Sequence, residues 1–169
     1  MVVALVLRPP GPDDESACVA AHHELTPFPF LLLWNPGVRW ADYLDLLQGL
    51  RDGTRVPDEL VRSDFLLAEV DGELAGRVSV RFALNEALAF KGGHIGYCVR
   101  PSFRRRGVAT TLLRRGVDLA HRGGVDRILV VCDDDNAASA AVIERCGGIL
   151  ESVVTPEDGS APFRRYFIG

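Results

Sequence analysis

The chain has 169 residues, of which 47% are hydrophobic and 25% are charged, as in ordinary globular proteins. Its net charge of -4 provides no global positive field, so binding to nucleic acid or to an anionic membrane is not expected. No apolar run approaches the ~20 residues that span a bilayer. We therefore expect one domain over residues 1–169 with a core of its own.

The first fifty residues predict one strand and two helices. An apolar strand over Val2–Leu7 ends at a Pro/Gly turn. Acidic residues then follow Pro12, as a helix start favours, and this helix runs to about Leu25. After an apolar loop, large apolar residues at helical spacing predict a second helix over Val38–Leu50.

The middle of the chain alternates strands with a helix. The pair Asp71-Gly72 predicts a hairpin between two strands. A third strand, an amphipathic helix and a buried apolar strand follow, and this order predicts a right-handed crossover between parallel strands. The predicted strands cover 64–70, 74–84, 94–99 and 125–132, and the helix covers 107–121.

The last forty residues predict a helix over 136–146 and a terminal hairpin of strands 149–154 and 163–168. Asn136 suits the start of that helix and Gly147 its end. The element order gives an α/β (α+β) fold class: a mixed, mostly antiparallel seven-stranded sheet flanked by about four helices.

The cysteines argue against a metal site. Cys18, Cys98, Cys132 and Cys146 are widely spaced and form no CxxC pair. The aspartates at 133–135 have no partner ligands nearby in sequence, so we expect an exposed loop there rather than a metal ion. The N-terminus does not resemble a secretion signal, so we expect free thiols in a reducing cytoplasm.

The densest chemistry lies between the predicted strand 94–99 and the helix that follows. Arg104, Arg105 and Arg106 run into Gly107, and the small residue Ala109 follows. One interpretation is a charge run in solvent. The other is a phosphate-binding turn, because a helix start offers unpaired N–H groups and a glycine lets a bulky anion approach.

This stretch resembles a known signature. Arg104-x-x-Gly107-x-Ala109 matches the [QR]-x-x-G-x-[GA] pattern of the GNAT superfamily of N-acetyltransferases. The resemblance extends to Val99-Arg100-Pro101 before it and to Asn136-x-x-Ser139 after it, and it covers about residues 64–155. Within the superfamily the chain is similar to poorly characterised bacterial predicted acetyltransferases and to the N-terminal acetyltransferases of ribosomal proteins.

The resemblance implies that acetyl-CoA, as co-substrate, lies in a gap where the parallel strands 94–99 and 125–132 splay apart. Backbone amides of the turn would hold its pyrophosphate, strand backbone would pair with the pantetheine arm, and the start of the last helix would meet the arm's far side. The implied cofactor contacts are Cys98, Val99, Arg104, Arg105, Arg106, Gly107, Val108, Ala109, Thr110, Asn136 and Ser139. For Asn136, a helix cap is an equally good and compatible role.

The resemblance also implies the reaction: direct attack of a primary amine on acetyl-CoA in a ternary complex, rather than through a covalent intermediate on Cys98. The amine must lose a proton to a base. His94 is the first candidate, although a surface histidine at a strand end is an equal interpretation. Glu86 is the second. The tyrosine that many superfamily members carry as an acid is replaced here by Ile143.

The missing tyrosine keeps an alternative open, a non-catalytic CoA-binding sensor or interaction module. For an enzyme, the acceptor is either a small molecule or a protein N-terminus, and neither nucleic acid nor a membrane is an expected partner. The apolar loop and helix at 28–50 are predicted to fold over the acceptor side. The oligomeric state stays open, with a homodimer among the options.

Overall fold

The computed structural model describes residues 4–169. Its strands form one seven-stranded sheet in the order β1-β2-β3-β4-β5-β7-β6. The strands are β1 (Leu5–Arg8), β2 (Ser63–Val70), β3 (Glu73–Arg81), β4 (Ile95–Val99), β5 (Ile128–Asp133), β6 (Ile149–Val154) and β7 (Phe163–Ile168). The helices are α1 (Glu15–Glu24), α2 (Trp40–Asp52), α3 (Glu86–Phe90), α4 (Val108–Arg122) and α5 (Ala137–Arg145). The predicted fold class is confirmed.

Neighbouring strands run antiparallel except β4 and β5, which are parallel. Within the described chain, the parallel register of this pair consists of one match, Ile95 with Val130. An isolated antiparallel bridge joins Gly93 to the same Val130. Beyond Ile95 the two strands therefore separate, as the resemblance implied.

Strand alternation divides the side chains between two apolar layers. On one face, Val78 and Ile95 pack in the core cluster that includes α4, and the Cβ position of Gly116 lies 3.1 Å from Ile95. The missing side chain at Gly116 thus lets α4 approach the sheet closely. On the other face, Phe65 and Leu67 pack against α1, α2 and the loop between these helices. The gap between β4 and β5 lies between these two layers.

The predicted elements differ from the structure mainly at their ends. The short helix α3 follows the predicted strand 74–84 and is not among the predicted elements. Asn85 caps it, since its side chain accepts a hydrogen bond from the Leu88 amide. The strand predicted over 125–132 begins at Ile128, because the chain is still bent at Asp126 and Arg127. Val2 and Val3 of the first predicted strand lie outside the described residues.

Residues 4–169 present neither a membrane-spanning helix nor a cluster of metal ligands. Within that range, no helix combines the length and apolar character needed to cross a membrane. Nor do three or more His, Cys, Asp or Glu side chains of the same residues come together in an arrangement that suits a metal ion.

Candidate functional site

The turn between β4 and α4 has the geometry that an anion site needs. A short 3-10 turn over Pro101–Phe103 follows β4, and the chain then reverses into α4. Gly107 precedes the helix in the left-handed region with φ 80° and ψ 0°, and Arg105 also has a positive φ of 58°. A left-handed residue directly before a helix is the conformation that glycine adopts without steric cost.

The amides of this turn are free. Among the described residues, none of the backbone N–H groups at 105–110 makes a hydrogen bond of normal length and angle, and the Thr111 amide is the first that does, to Gly107 O at 3.0 Å. These groups sit at the positive end of the 15-residue helix α4. Several unpaired donors at a helix start form a site for phosphate.

The three arginines have different surroundings. The Nε of Arg104 donates to the Val99 carbonyl at 3.2 Å, so this side chain turns back along β4. The guanidinium of Arg106 lies 5.2 Å from the centre of the Phe103 ring. Arg105 is exposed. The backbone, more than the guanidinium groups, shapes this turn.

The hydrogen-bond register of β4 decides which of its backbone groups face the gap. The Arg81 amide donates to His94 O at 2.7 Å and the Arg100 amide to Ala75 O at 2.8 Å. Hydrogen-bonded positions of an antiparallel pair alternate along a strand, so Cys98 also directs its backbone groups to β3. The groups of Tyr97 and Val99 point the other way. At the open edge the register therefore presents the backbone groups of Tyr97 and Val99, whereas those of Cys98, one of the contacts that the resemblance implies, are directed to β3.

The start of α5 lies across the gap from β4. Asn136 caps this helix, since its Oδ1 accepts from the Ser139 amide at 3.0 Å. The Ser139 hydroxyl forms a hydrogen bond of 2.9 Å with the Tyr97 hydroxyl, so β4 and α5 touch through these two groups. Burial raises the pKa of Tyr97 to about 12, so its phenol keeps its proton at neutral pH. Ile143 is fully buried in the core.

His94 joins the two strands at the point where they separate. Its ring Nδ1 accepts from the Leu129 amide at 2.9 Å, and its own amide donates to Leu129 O at 2.8 Å. The residue is 9% exposed. Burial, together with the positive charge of Arg81, lowers the pKa of His94. Proton uptake by this ring therefore requires Nδ1 to release the Leu129 amide.

Glu86 lies in the first turn of α3 with an exposed side chain. Among residues 4–169 its carboxylate forms neither an ion pair nor a hydrogen bond, so it is available to a substrate. The end of α3 is tied to β7, since Arg165 donates to Phe90 O at 2.8 Å and the Phe90 ring stands edge-on to Phe163 at 5.4 Å. Among residues 4–169, neither a hydrogen bond nor an ion pair joins Glu86 to His94.

Stability is expected to fall as the pH drops below 7. His22 resembles His94, since its Nδ1 accepts from the Leu31 amide at 3.0 Å and its pKa is also lowered, by burial and by His23. Both rings are neutral in the folded protein and titrate normally once unfolded. Their stabilisation is therefore complete above the unfolded pKa of ~6.5 and is lost as the pH falls through the folded values.

Thermal unfolding between pH 7.5 and pH 5 measures this effect. Each unit of pKa difference corresponds to ~1.4 kcal/mol. Replacing both histidines by Asn, whose Oδ1 accepts the same amides without titrating, should flatten the profile over this range. A double variant with the slope of the parent protein contradicts the assignment.

Two further residues near the gap are not apparent from motifs. Arg77 and Arg81 lie on β3 beside Cys98 and His94, on the α1–α2 face. The sequence carries one signal for them: Arg77, Ser79 and Arg81 are polar residues at alternate positions, separated by Val78 and Val80. A separate shallow depression of about 560 Å³ is lined by residues of α2 and of the segment after it. It includes no residue of the turn or of β4 and β5, so we do not assign the site to it.

Comparison with known proteins agrees with this geometry. The family model described as "Acetyltransferase (GNAT) family" matches residues 21–148. Among solved structures, Mycobacterium smegmatis RimJ in complex with CoA-disulfide is 24% identical, with a TM-score of 0.72 over 97% of this chain and 81% of that one. RimL, a ribosomal L7/L12 alpha-N-protein acetyltransferase in complex with coenzyme A, is 22% identical, with a TM-score of 0.70 over 99% of this chain and 94% of that one.

A third structure of the same fold is yncA, a putative acetyltransferase from Salmonella typhimurium with its cofactor acetyl-CoA. It is 18% identical, with a TM-score of 0.65 over 98% of this chain and 93% of that one. At these identities the three structures establish the likeness of the fold, and the family model establishes the kinship. The chain belongs to the GNAT family of acetyltransferases and is an acyltransferase that depends on acetyl-CoA.

Proposed function

We propose that the protein is an N-acetyltransferase, which transfers the acetyl group of acetyl-CoA to a primary amine. The observation that carries this proposal is the row of unpaired amides at 105–110, next to the edge of β4 that β5 leaves open. The amides suit a diphosphate, and the open edge suits an extended arm with amide groups of its own. Coenzyme A carries both kinds of group, a pyrophosphate and a pantetheine arm.

The residues divide between those two parts. The amides of Arg105, Arg106, Gly107, Val108, Ala109 and Thr110 would hold the pyrophosphate, with Arg104 alongside. Val99 and Tyr97 direct backbone groups to the open edge and would meet the arm, while Cys98 contributes its side chain on the acceptor face. Asn136 and Ser139 would border the arm on the α5 side. When bound, acetyl-CoA supplies an activated thioester.

We propose direct attack by the amine in a ternary complex. A covalent route needs a thiolate nucleophile, and burial raises the pKa of all four thiols, Cys98 included. Either His94 or Glu86 would take the proton of the amine. The ring of His94 is neutral at pH 7, and to act as the base its Nδ1 would have to exchange the Leu129 amide for the proton of the amine.

The proposal extends to the domain and its location. Residues 1–169 would act as one catalytic domain, with the segment 28–50 over the acceptor side. The carbonyls of Pro29 and Phe30 accept hydrogen bonds from Arg77, so this segment is fixed directly above β3 and β4. The four free cysteines favour the cytoplasm, where thiols stay reduced.

The test is the release of free CoA thiol from acetyl-CoA with a panel of primary amines, together with mass spectrometry of the amine product. We expect thiol release that depends on the amine, an N-acetylated product, and intersecting initial-rate patterns. Acetyl-CoA binding without turnover on any amine would instead favour the sensor module, the alternative that the absence of tyrosine at Ile143 supports. Mobility shift of DNA, as a control, is expected to be negative.

A further inference from the structure

Two arginines of β3 project from the face of the sheet that carries α1 and α2. Arg77 and Arg81 are separated along the strand by Ser79, which shares their side of the sheet and is paired with Gly96 of β4. Gly96 therefore lies between the two arginines on the neighbouring strand.

Both guanidinium groups turn toward Gly96. A Cβ atom at this position would lie 3.6 Å from Nη1 of Arg77 and 4.0 Å from Nη1 of Arg81. Because the glycine has no side chain, the space between the two groups stays empty of protein. Gly96 is half-buried, so part of its surface reaches solvent. We call this space the Gly96 hollow.

The charges around the hollow are not neutralised by the protein. Among residues 4–169, no carboxylate lies within ion-pair distance of Arg77 or Arg81, whereas Arg100, for example, pairs with Glu24 at 2.7 Å. Arg77 is 6% exposed and donates to the carbonyls of Pro29 and Phe30. It also lies beside the Cys98 thiol, which burial keeps uncharged by raising its pKa.

Arg81 stays charged in this position. It donates to the Gly93 carbonyl at 3.1 Å, which leaves other N–H groups free. Burial, and then the charge of Arg77, lowers the pKa of Arg81 to about 10, so it is protonated at neutral pH. Two like charges beside each other in a poorly solvated place are unfavourable unless an anion joins them.

The hollow lies beside the gap. Gly96 follows Ile95, the β4 residue that pairs with β5, and precedes Tyr97, whose backbone faces the open edge. A group bound at Gly96 is therefore within a few ångströms of the place where the arm would lie, on the acceptor face, since one strand residue spans ~3.3 Å.

We infer that the amine acceptor carries a carboxylate, which binds in the Gly96 hollow between Arg77 and Arg81. This inference rests on the proposed function and names the class of its acceptor. A carboxylate accepts several N–H groups at once and is the natural partner of guanidinium. It belongs either to a free amino acid or to an acidic residue at the start of a peptide.

Matched acceptor pairs test the inference and separate these two sources. One pair is an amino acid and its carboxamide. The other is a tripeptide amide that begins with Asp and one that begins with Asn. In at least one pair we expect kcat/KM to be ~10-fold or more higher for the carboxylate member, the equivalent of ~1.4 kcal/mol.

The variant Arg81→Gln links this preference to the hollow. It can still donate to Gly93 O but lacks the charge. We expect it to bring the ratio within a pair close to 1, with unchanged acetyl-CoA affinity. Because the charge of Arg81 also lowers the pKa of His94, the ratio within a pair is compared and not the rate of either member. Arg122→Gln, which removes an exposed charge from the end of α4, should keep the ratio of the parent protein.

A second measurement does not depend on turnover. Calorimetry of the CoA-loaded protein with the N-acetylated forms of the same pairs should show tighter binding of the carboxylate member, lost in Arg81→Gln. Equal binding within both pairs, or a preference that survives in Arg81→Gln, overturns the inference. Turnover without a carboxylate preference overturns the inference alone, whereas a preference in binding without turnover on any amine overturns the proposed function alone.

Discussion

Gly107→Glu is expected to reduce acetyl-CoA affinity more than ~100-fold, which corresponds to ~2.8 kcal/mol, while the domain stays folded. The substitution places a carboxylate among the amides of 105–110, where the phosphates would lie. Two unit charges 4 Å apart repel by ~4 kcal/mol near a protein surface, so repulsion alone accounts for a loss of this size. Calorimetric titration with acetyl-CoA measures the affinity, and circular dichroism checks the fold.

The matched control lies at the other end of the same helix. Gly124 follows α4 with a φ of +89°, close to the +80° of Gly107, and the space around its Cβ position is open. Gly124→Glu therefore imposes the same side chain on the same kind of backbone, far along α4 from the turn. It should bind acetyl-CoA like the parent protein. Undiminished affinity in Gly107→Glu would refute the phosphate site.

The second large effect is expected at His94. If its ring accepts the proton of the amine, His94→Ala should lower turnover ~100-fold or more, the lower range for general-base catalysis, and remove the acidic limb of the pH–rate profile. Alanine also removes the bond to the Leu129 amide, so this variant alone does not separate chemistry from positioning.

His94→Asn makes that separation. The Asn side chain can accept the Leu129 amide but does not accept a proton at neutral pH. We expect its melting temperature to stay near that of the parent protein while its turnover falls as in His94→Ala. If His94→Asn instead recovers both the turnover and the acidic limb of the pH–rate profile, His94 is a positioning residue. The proton would then pass to Glu86, which Glu86→Gln tests by the same profile.

Most of the fold follows from patterns that are local in sequence. The pair Asp71-Gly72 predicts the β2–β3 hairpin, and the apolar spacing after Gly107 predicts α4. The helix α3 is missed because five residues are too few to show a period. Its formation depends on the cap at Asn85 and on contacts of Phe90 with β7, which is distant in sequence.

The candidate site also has features that the local sequence predicts and features that depend on neighbouring strands. The turn at Gly107 and the cap at Asn136 are readable because their chemistry lies within a few residues. The choice between Tyr97 and Cys98 at the open edge depends on which positions of β4 bond to β3, and a sequence does not carry this parity. Nor does it reveal that Arg77 and Arg81 converge, since that depends on the glycine of a neighbouring strand.

The narrow junction between β4 and β5 has a consequence for the whole molecule. It divides the sheet into one half of strands β1 to β4 and another of β5, β7 and β6, joined within the sheet at Ile95, Val130 and the His94–Leu129 bonds. A ligand that forms hydrogen bonds with both β4 and β5 bridges the two halves of the sheet. Acetyl-CoA would thus stabilise the folded protein as well as react, because its binding free energy would add to the free energy of unfolding.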